Sequence, residues 1–571
     1  MNKLDESINN NSRFKNFLKK HVNSIILLLL LTTIVSLITY YRILVQIDIG
    51  PLSDSFDFMS NALVFAGQGI GYSDLIRPPF FSFILSLIFR LGYISSSTIF
   101  VLDGILFIFG VIGMYLLLKI RFTDLESFLG ALLYATFPIV ITILGVGFSD
   151  LASVSFTIWA LYFMVLGVKK DSRFFYLSFP FAMFAFLTRY NNALLIFPIL
   201  LYILINKDKV NFKNIIMGVT ASILIIIPVL LFFHENFGNI IYPFINFEST
   251  STGLSASAES AAYNSNIFFF LQNFPTFVGP QGIMILLIVV LGIILYLLFK
   301  FVRNIRYNPN LIDRLNFNRK TVINWIIFFV LGIIFLGTFG KTAYLVSELL
   351  FFVIIYLFYN LTKNMDLKDI DLHIMVFAWF MAFFIFSSIY VIKDSRYFVL
   401  MAPPVAYFMI LGLNIISNRI KFIFKNRNIT FPLIVIILTL IILLSTASQL
   451  PLILETNNNK AVANEEMKLA SQWFVNYDPE YKNQNIYSDL SPNFSWYLKT
   501  NVKSVPVFKD NQTFPNGVKN YTFNQADSNE FNNYLITNNA DYYFCVRIGL
   551  NLISYTPIKQ FGIVTIYKKK F

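Results

Sequence analysis

The sequence predicts an all-α polytopic membrane domain of about 13 transmembrane helices over residues 1–454, followed by a small extracytoplasmic α/β domain over residues 455–571. Two observations lead to this fold class. Hydrophobic residues make up 56% of the 571-residue chain and charged residues only 13%, whereas soluble proteins carry about 25% charged residues. Apolar runs of about 20 residues, each long enough to cross a bilayer, recur in the first part of the chain and stop before residue 455.

The predicted spans alternate with polar connections. The first run has no small-residue cleavage site, so we expect a retained anchor rather than a signal peptide. Two neighbouring runs, 174–188 and 191–205, are short enough to form a re-entrant pair. We place the spans at residues 23–45, 97–118, 125–146, 151–168, 174–188, 191–205, 213–233, 282–301, 322–340, 343–360, 371–391, 396–416 and 430–449.

Lysine and arginine concentrate in alternate connections, which sets the expected orientation in the cell membrane. The positive-inside bias places the N-terminus in the cytoplasm, and an odd number of spans then places the C-terminal domain outside. This topology accounts for the net charge of +13, so we expect membrane lipids and no nucleic acid as partners. The single cysteine, Cys545, excludes an intrachain disulfide.

The composition becomes polar from Glu455 onwards. Residues Glu465–Tyr477 predict an amphipathic helix, and Asn485–Ser488, Asp541–Val546 and Ile563–Tyr567 predict short strands. A unit of this length is within the normal size range of a domain.

The first long outer connection is the most informative stretch of the chain. It carries Asp54, Asp57, Asp74 and Arg77 close to the membrane, where charged side chains are costly and therefore indicate function. Residues 79–91 are apolar but too short to span, and this is typical of an interfacial helix.

Five landmarks follow one another along the chain. Their order and their predicted faces resemble those of the membrane-embedded GT-C glycosyltransferases, which include the dolichyl-phosphate-mannose protein mannosyltransferases and the bacterial aminoarabinose transferases. The resemblance covers nearly the whole chain. The landmarks are Asp54 with FDFMSNALVFAGQGIGY and Arg77-Pro78-Pro79, Asp150 in FSDLASVSFTIWALYFM, Leu187-Thr188-Arg189-Tyr190, Phe237-Gly238-Asn239 with Tyr242-Pro243-Phe244, and Ser395-Arg396-Tyr397 with Pro403-Pro404.

The resemblance implies transfer of a sugar from a polyprenyl-phosphate donor, with inversion at the anomeric carbon, to a protein, lipid or glycan hydroxyl at the outer face. It implies that Asp54 is the catalytic base. Many relatives have Asp-Glu at this point, whereas this chain has Asp54-Ser55, which leaves Asp57 as a competing base.

The residues themselves allow other interpretations of the acids. A carboxylate within reach of the acceptor hydroxyl suits general-base catalysis, but Ser53 or Asp54 before an amphipathic run is also typical of a helix N-cap. Asp150 is expected either to shape the site or to bind a cation, and the alternative is an N-cap assisted by Ser149.

Four basic residues lie at predicted outer ends of spans. A leaving phosphate needs cations, and arginine binds phosphate oxygens with a planar fork. The alternative is snorkelling to lipid headgroups. The candidate donor-phosphate ligands are Arg77, Arg396, Arg189 and Lys393.

No cofactor is required by the sequence, although a divalent cation, Mg²⁺ or Mn²⁺, is compatible with oxygen ligands. The candidate ligands are Asp54, Asp150, His234 and Glu235. Inside the predicted spans, we expect Glu348 to form a structural ion pair with Lys341.

Two other functions remain open. A lipid-linked glycan flippase or transporter would carry acids in mid-membrane, broken helices with repeat symmetry. A surface-glycan polymerase would also have many spans and long outer connections.

Overall fold

The computed structural model describes residues 2–246, 263–307, 319–363, 368–419, 423–424, 427–514, 522–547 and 550–570. The membrane part is helical. Its helices run Asn2–Ile49, Asp54–Phe65, Phe80–Arg90, Ser96–Leu118, Asp124–Ala135, Pro138–Ile143, Ser149–Lys169, Phe175–Thr188, Ile196–Ile205, Phe212–Phe237, Phe269–Gln272, Phe274–Tyr307, Arg319–Thr338, Tyr344–Thr362, Ile370–Ile389, Ala402–Ser417 and Thr430–Thr456. Short 3₁₀ turns occupy Ser172–Phe174, Tyr190–Leu195, Lys207–Lys209 and Ser395–Leu400.

The chain is a multi-pass membrane protein. Within the described residues, eight helices are long and apolar enough to span a bilayer: Val22–Ile49, Ser96–Leu118, Ser149–Lys169, Phe212–Phe237, Phe269–Gly292, Tyr344–Thr362, Ile370–Ile389 and Thr430–Thr456. Each overlaps a predicted span, although Phe269–Gly292 begins 13 residues before the predicted span 282–301. The other five predicted spans are shorter or interrupted, so the count of 13 stays a prediction.

Proline explains two of the interruptions. The predicted span 125–146 divides into Asp124–Ala135 and Pro138–Ile143, and Pro138 stands at the start of the second helix because it has no N–H to donate. The predicted span 396–416 begins as the 3₁₀ turn Ser395–Leu400, and the helix Ala402–Ser417 carries its prolines in the first turn. The second break carries Arg396, whose contacts are described below.

Two central spans pack closely because glycines of one helix face side chains of the other. A Cβ atom on Gly110 would lie 2.1 Å from the hydroxyl oxygen of Ser155. A Cβ on Gly113 would lie 2.8 Å from the indole nitrogen of Trp159. Helices Ser96–Leu118 and Ser149–Lys169 therefore approach through glycine, as is common between membrane helices.

The C-terminal part contains the predicted helix and strands. Its helices are Asn458–Tyr477, Ser491–Leu498 and Gln525–Thr537, with a 3₁₀ turn at Tyr481–Asn483. One sheet has the strand order Lys503–Ser504, Ile486–Ser488, Tyr542–Cys545, Val564–Lys569, Tyr555–Phe561. The first three strands are parallel to one another, and Val564–Lys569 pairs antiparallel with the strand on each side of it. Val507–Lys509 pairs antiparallel with Gln512–Phe514, and before the C-terminal part Ile423–Phe424 pairs antiparallel with Arg427–Asn428.

The long helix Thr430–Thr456 crosses the predicted domain boundary by two residues. The division at residues 454 and 455 therefore stays a prediction. Helix Ser491–Leu498 packs on helix Asp54–Phe65, so the C-terminal part and the first long connection meet at one end of the helical bundle.

Candidate active site

Asp54 is the first residue of the short helix Asp54–Phe65. The N-cap position is taken by Ser53, whose φ is 35° and whose side chain makes no capping hydrogen bond. The hydroxyl of Ser53 donates to the carboxylate of Asp54 instead, over 3.3 Å. Ser53 therefore occupies the N-cap position without making a capping hydrogen bond, and Asp54 lies inside the helix.

Two arginines from distant parts of the chain hold the carboxylate of Asp54. Nη2 of Arg77 lies 3.2 Å from Oδ1, and Nη1 of Arg396 lies 2.5 Å from Oδ2. Burial alone would raise the pKa of Asp54, but the two guanidinium groups outweigh burial and hold that pKa well below its usual range. Asp54 is therefore a carboxylate at neutral pH.

Asp57 lies three residues after Asp54, in the first turn of the same helix, and has a different environment. Its Oδ2 is 2.6 Å from Nη2 of Arg77, and its Oδ1 accepts the phenol proton of Tyr72 over 2.6 Å. Burial, with a further contribution from Asp74, raises the pKa of Asp57 to about 6 against the opposing effect of Arg77. The two candidate bases thus have pKa values shifted in opposite directions.

Asn61 folds the connection back so that Arg77 reaches these acids. Its amide binds both backbone groups of Asp74: Nδ2 donates to the carbonyl and Oδ1 accepts from the N–H, each over 2.8 Å. Nε of Arg77 then lies 2.9 Å from Oδ2 of Asp74. Asn61 does not stand out in the sequence, because asparagine is common in this chain.

Asp150 lies in the first turn of helix Ser149–Lys169 and is 1% exposed. The N-cap is Phe148, without a side-chain capping bond, so the capping role considered for Asp150 and Ser149 is wrong. Nη1 of Arg189 donates to Oδ1 of Asp150 in an ion pair. Because Asp150 is buried, this partner is what makes its charge tolerable.

Arg396 joins the two halves of the site. Its Nη1 is 4.0 Å from Oδ2 of Asp150 as well as bound to Asp54, and its Nε is 3.1 Å from Oδ2 of Asp394. The guanidinium lies 5.1 Å from the ring centroid of Phe148, within cation–π range. We call the connected charges the arginine–aspartate network: Arg77, Arg189, Arg396, Asp54, Asp57, Asp74, Asp150 and Asp394.

Lys393 lies outside this network, contrary to the role predicted for it. Its ammonium donates to the carbonyls of Ser387, Ser388 and Tyr390 at the end of helix Ile370–Ile389. An ammonium has three donors, so these carbonyls leave none for a phosphate. Burial lowers the pKa of Lys393 to about 8.

The four metal candidates do not come together. His234 and Glu235 are exposed in the last turn of helix Phe212–Phe237, whereas Asp54 and Asp150 face guanidinium groups. In the part of the chain that the structure describes, no group of three or more histidine, cysteine, aspartate or glutamate side chains is placed to hold a metal ion. The proposed cation site is therefore not formed by these residues.

An apolar cavity of about 390 Å³ opens beside the network. Pro79 and Leu187 in its wall each stand two residues from an arginine of the network, Arg77 and Arg189 respectively. The cavity is lined by Phe65, Pro79, Phe80, Phe83, Phe184, Leu187, Ile225, Pro228, Val229 and Phe232. An apolar wall next to convergent charges suits an amphiphilic ligand.

Comparison with known proteins agrees with this architecture. The family model of dolichyl-phosphate-mannose-protein mannosyltransferase matches residues 76–232, less than half of the chain. The crystal structure of ArnT from Cupriavidus metallidurans bound to undecaprenyl phosphate is similar with a TM-score of 0.54 and 12% identity, covering 94% of this chain and 97% of that one. The crystal structure of the same protein in the apo state is equally similar, with a TM-score of 0.54 and 12% identity over 94% of this chain and 97% of that one. No curated protein sequence matches the chain.

The matched region contains Arg77, Asp150 and Arg189, while Asp54 and Arg396 lie outside it. At 12% identity, the solved structures establish the fold. The predicted fold class and the resemblance to the membrane glycosyltransferases are therefore confirmed: this chain has the GT-C fold.

Proposed function

We propose that this protein is an inverting glycosyltransferase of the membrane. It moves a sugar from a polyprenyl-phosphate donor to an acceptor hydroxyl at the outer face, with Asp54 as the general base. One observation carries the proposal: the ionised carboxylate of Asp54 is paired with Arg77 and Arg396, and Pro79, two residues after Arg77, lines an apolar cavity. Transfer from such a donor needs three elements: a base for the acceptor hydroxyl, a group that binds the donor phosphate, and a surface for the lipid chain.

The arginines account for binding of the donor phosphate. Arg396 reaches Asp54, Asp150 and Asp394, so it is already placed at the centre of the acids. When the donor phosphate binds the guanidinium of Arg396, it replaces a carboxylate as the partner of that group and binds through two parallel hydrogen bonds, the geometry that arginine favours. Asp54 then loses part of the positive charge that suppresses its basicity, and becomes a better base when the donor is present.

The transfer step is a single displacement. Asp54 accepts the proton of the acceptor hydroxyl, whose oxygen bonds to the anomeric carbon. The bond from that carbon to the phosphate oxygen breaks on the opposite face, and the polyprenyl phosphate leaves with the electron pair. A phosphate leaving group needs no general acid, which fits a site with one well-ionised carboxylate and several cations.

The donor class is supported by the cavity and by the solved ArnT structure, which is bound to undecaprenyl phosphate. The cavity begins two residues from Arg77 and from Arg189, so a prenyl chain seated in it would keep its phosphate near the network. The distribution of lysine and arginine supports a cytoplasmic N-terminus and a site at the outer face. The acceptor class, whether a protein, a lipid or a glycan, is left to experiment.

The position of the acids argues against a transporter. Asp54 is the first residue of its helix and Asp150 is the second of its own, whereas transporters bind substrate near mid-membrane in discontinuous helices. A surface-glycan polymerase would use the same site with a glycan acceptor.

The test is sugar transfer by the purified protein in defined lipids. Radiolabelled polyprenyl-phosphate sugars are supplied with a membrane extract of the source cells as acceptor. We expect transfer by the wild type and a loss of about 10²-fold or more in Asp54→Asn, with donor binding retained. The matched control is Asp371→Asn, since Asp371 is also buried, at 9% exposure, but begins helix Ile370–Ile389 at the end away from Arg396.

The outcomes separate the alternatives. Equal activity of wild type and Asp54→Asn would overturn Asp54 as the base and move that role to Asp57 or Asp150. No transfer from any donor, together with movement of the donor across vesicle membranes, would overturn the transferase and favour a flippase.

A further inference from the structure

The chain between the first long helix and Asp54 is held by two amide side chains. Nε2 of Gln46 donates to the carbonyl of Gly50 over 2.6 Å. Nδ2 of Asn464 donates to the carbonyls of Ile49 and Pro51, over 2.8 and 2.9 Å. Three consecutive carbonyls are thus bound, and two of them by one residue more than 400 positions away.

Asn464 belongs to helix Asn458–Tyr477 of the C-terminal part and is 7% exposed. Both of its N–H donors are used on this segment. Gly50 fits closely against it: Gly50 has φ +83°, and a Cβ atom there would lie 3.0 Å from Nδ2 of Asn464. The contact therefore depends on glycine at position 50 both for conformation and for space.

The residue before Asp54 is conformationally strained. Ser53 has φ 35° and ψ −110°, a combination that a residue with a side chain rarely adopts. Such backbone persists only where the surrounding structure enforces it. Asn464 fixes the chain just before Ser53, and on the other side the hydroxyl of Ser55 donates to the carbonyl of Val146 over 2.9 Å. The direction of the Asp54 side chain is set between these two anchors.

A second contact joins the same two parts. The rings of Phe56 and Tyr497 meet edge to face with centroids 5.8 Å apart. Trp496, 5% exposed, packs with Phe89 at a centroid distance of 6.4 Å. Helix Ser491–Leu498 therefore supports the first turn of the helix that begins at Asp54.

We infer that Asn464 is a positioning residue for Asp54, and that the C-terminal domain serves transfer by holding residues 49–53 in the conformation that directs the Asp54 carboxylate towards Arg77 and Arg396. The inference deepens the proposed function and depends on it only for the role of Asp54 as base.

The test compares variants at Asn464 with a control variant in defined lipids. Asn464→Ala removes the donors and the side chain, and Asn464→Asp keeps the shape but loses the donors. The matched control is Asn532→Ala: Asn532 is also buried in the C-terminal domain, at 6% exposure, but its amide binds Ser554. Hydrogen exchange of backbone amides is measured alongside transfer kinetics.

We expect faster exchange at Gly50, Ser55 and Phe56 in both Asn464 variants and not in Asn532→Ala, because these amides donate within the held segment. We expect kcat to fall about 10- to 100-fold, as for a misplaced catalytic group, with the KM for the donor within about twofold. In the Asp54→Asn background, Asn464→Ala should cause no further loss, because it acts through that carboxylate.

Unchanged exchange at these amides, or a fully additive loss in the double variant, would overturn the inference. If the wild type transfers no sugar, the proposed function fails, whereas the exchange comparison still decides whether Asn464 holds the segment.

Discussion

Nη1 of Arg396 lies 2.5 Å from Oδ2 of Asp54, although the two residues are 342 positions apart in the chain. The same nitrogen is 4.0 Å from Oδ2 of Asp150. One guanidinium therefore links the acid of the first long connection to the acid at the start of helix Ser149–Lys169. Arg396 therefore stabilises the charge of Asp54 directly, and it adds to the stabilisation that Arg189 gives to the buried Asp150.

We expect Arg396→Lys to lower kcat/KM for transfer about 10- to 100-fold. Lysine keeps the charge but has no planar fork, so it cannot hold Asp54 and Asp394 together or grip a phosphate through two parallel bonds. Losing a hydrogen bond between charged groups is worth about 1.5–3 kcal/mol, which corresponds to this range. Steady-state kinetics with a polyprenyl-phosphate sugar gives the measurement.

Arg90→Lys is the matched control for this change. Arg90 is exposed at the end of helix Phe80–Arg90, where its guanidinium binds the carbonyl of Phe65. We expect a change of less than about threefold there, because a surface contact of this kind contributes little. Equal losses in the two variants would show that Arg396 has no special role.

We expect stability to depend on pH through Asp57. Burial raises its pKa to about 6 in the folded protein, above the ordinary value of about 3.9 for an unfolded chain. The folded state therefore binds a proton more tightly, so the free energy of unfolding falls as pH rises from about 4 to about 6. Asp57→Asn removes this loss, which amounts to about 3 kcal/mol at neutral pH.

The measurement for Asp57 is the thermal unfolding midpoint of wild type and Asp57→Asn at pH 4.5, 6 and 7.5. The midpoint of Asp57→Asn should rise relative to that of the wild type as pH increases. Asp54 has the opposite sign, since its lowered pKa contributes stability above about pH 4 that is lost only in stronger acid. Midpoint curves that stay parallel from pH 4.5 to 7.5 would contradict the raised pKa of Asp57.

Much of the site could be predicted from the sequence, because a charge in an apolar chain is a strong signal. Charge in an apolar context points to Asp54, Asp150, Arg77, Arg189 and Arg396, and the structure brings these residues together. Their pairing could not be predicted, since the partners are 23, 39 and 342 positions apart. The sequence indicates which charged residues are important, but not which of them are close in space.

The errors arise where a local contact competes with a charge. Lys393 was assigned to the donor phosphate, but the carbonyls at the end of helix Ile370–Ile389 are nearer and occupy all three donors. Ser53 stands at the predicted N-cap position, but with φ 35° it makes no side-chain capping hydrogen bond. Asn61 and Asn464 were missed, because a single asparagine in an asparagine-rich chain carries no pattern.

The fold was more predictable than the site, for a physical reason. A bilayer demands long apolar helices, and each of the eight long ones was predicted. The short and broken helices are harder to predict from the sequence. Their irregular backbone forms hydrogen bonds with side chains that are distant in the sequence, and such partners leave no local pattern. Arg42 is an example: it donates to the carbonyls of Ile141 and Thr142.

We expect Glu348→Gln to leave the thermal unfolding midpoint unchanged or to raise it. The sequence suggested an ion pair with Lys341, but Glu348 is 1% exposed and its Oε1 has no hydrogen-bond partner among the described residues. A buried carboxylate without a partner is costly, and the amide has the same shape without the charge. Lys341→Met should likewise shift the free energy of unfolding by less than about 0.5 kcal/mol. A clear loss of stability in both single variants, non-additive in the double variant, would establish the ion pair.

We expect Val229→Trp to raise the KM for a long-chain polyprenyl donor about 10-fold with little change in kcat. Val229 lines the apolar cavity beside the network, and a larger side chain there displaces ligand surface. Excluding about 50 Å² of apolar contact, at about 25 cal/mol per Å², corresponds to this factor. Leu224→Trp is the matched control, because Leu224 is on the same helix, Phe212–Phe237, but is 63% exposed at its surface. The KM for a donor with a much shorter prenyl chain should respond less to Val229→Trp. If both tryptophan variants raise the KM equally, or neither does, the prenyl chain binds elsewhere and the cavity plays no part in donor recognition.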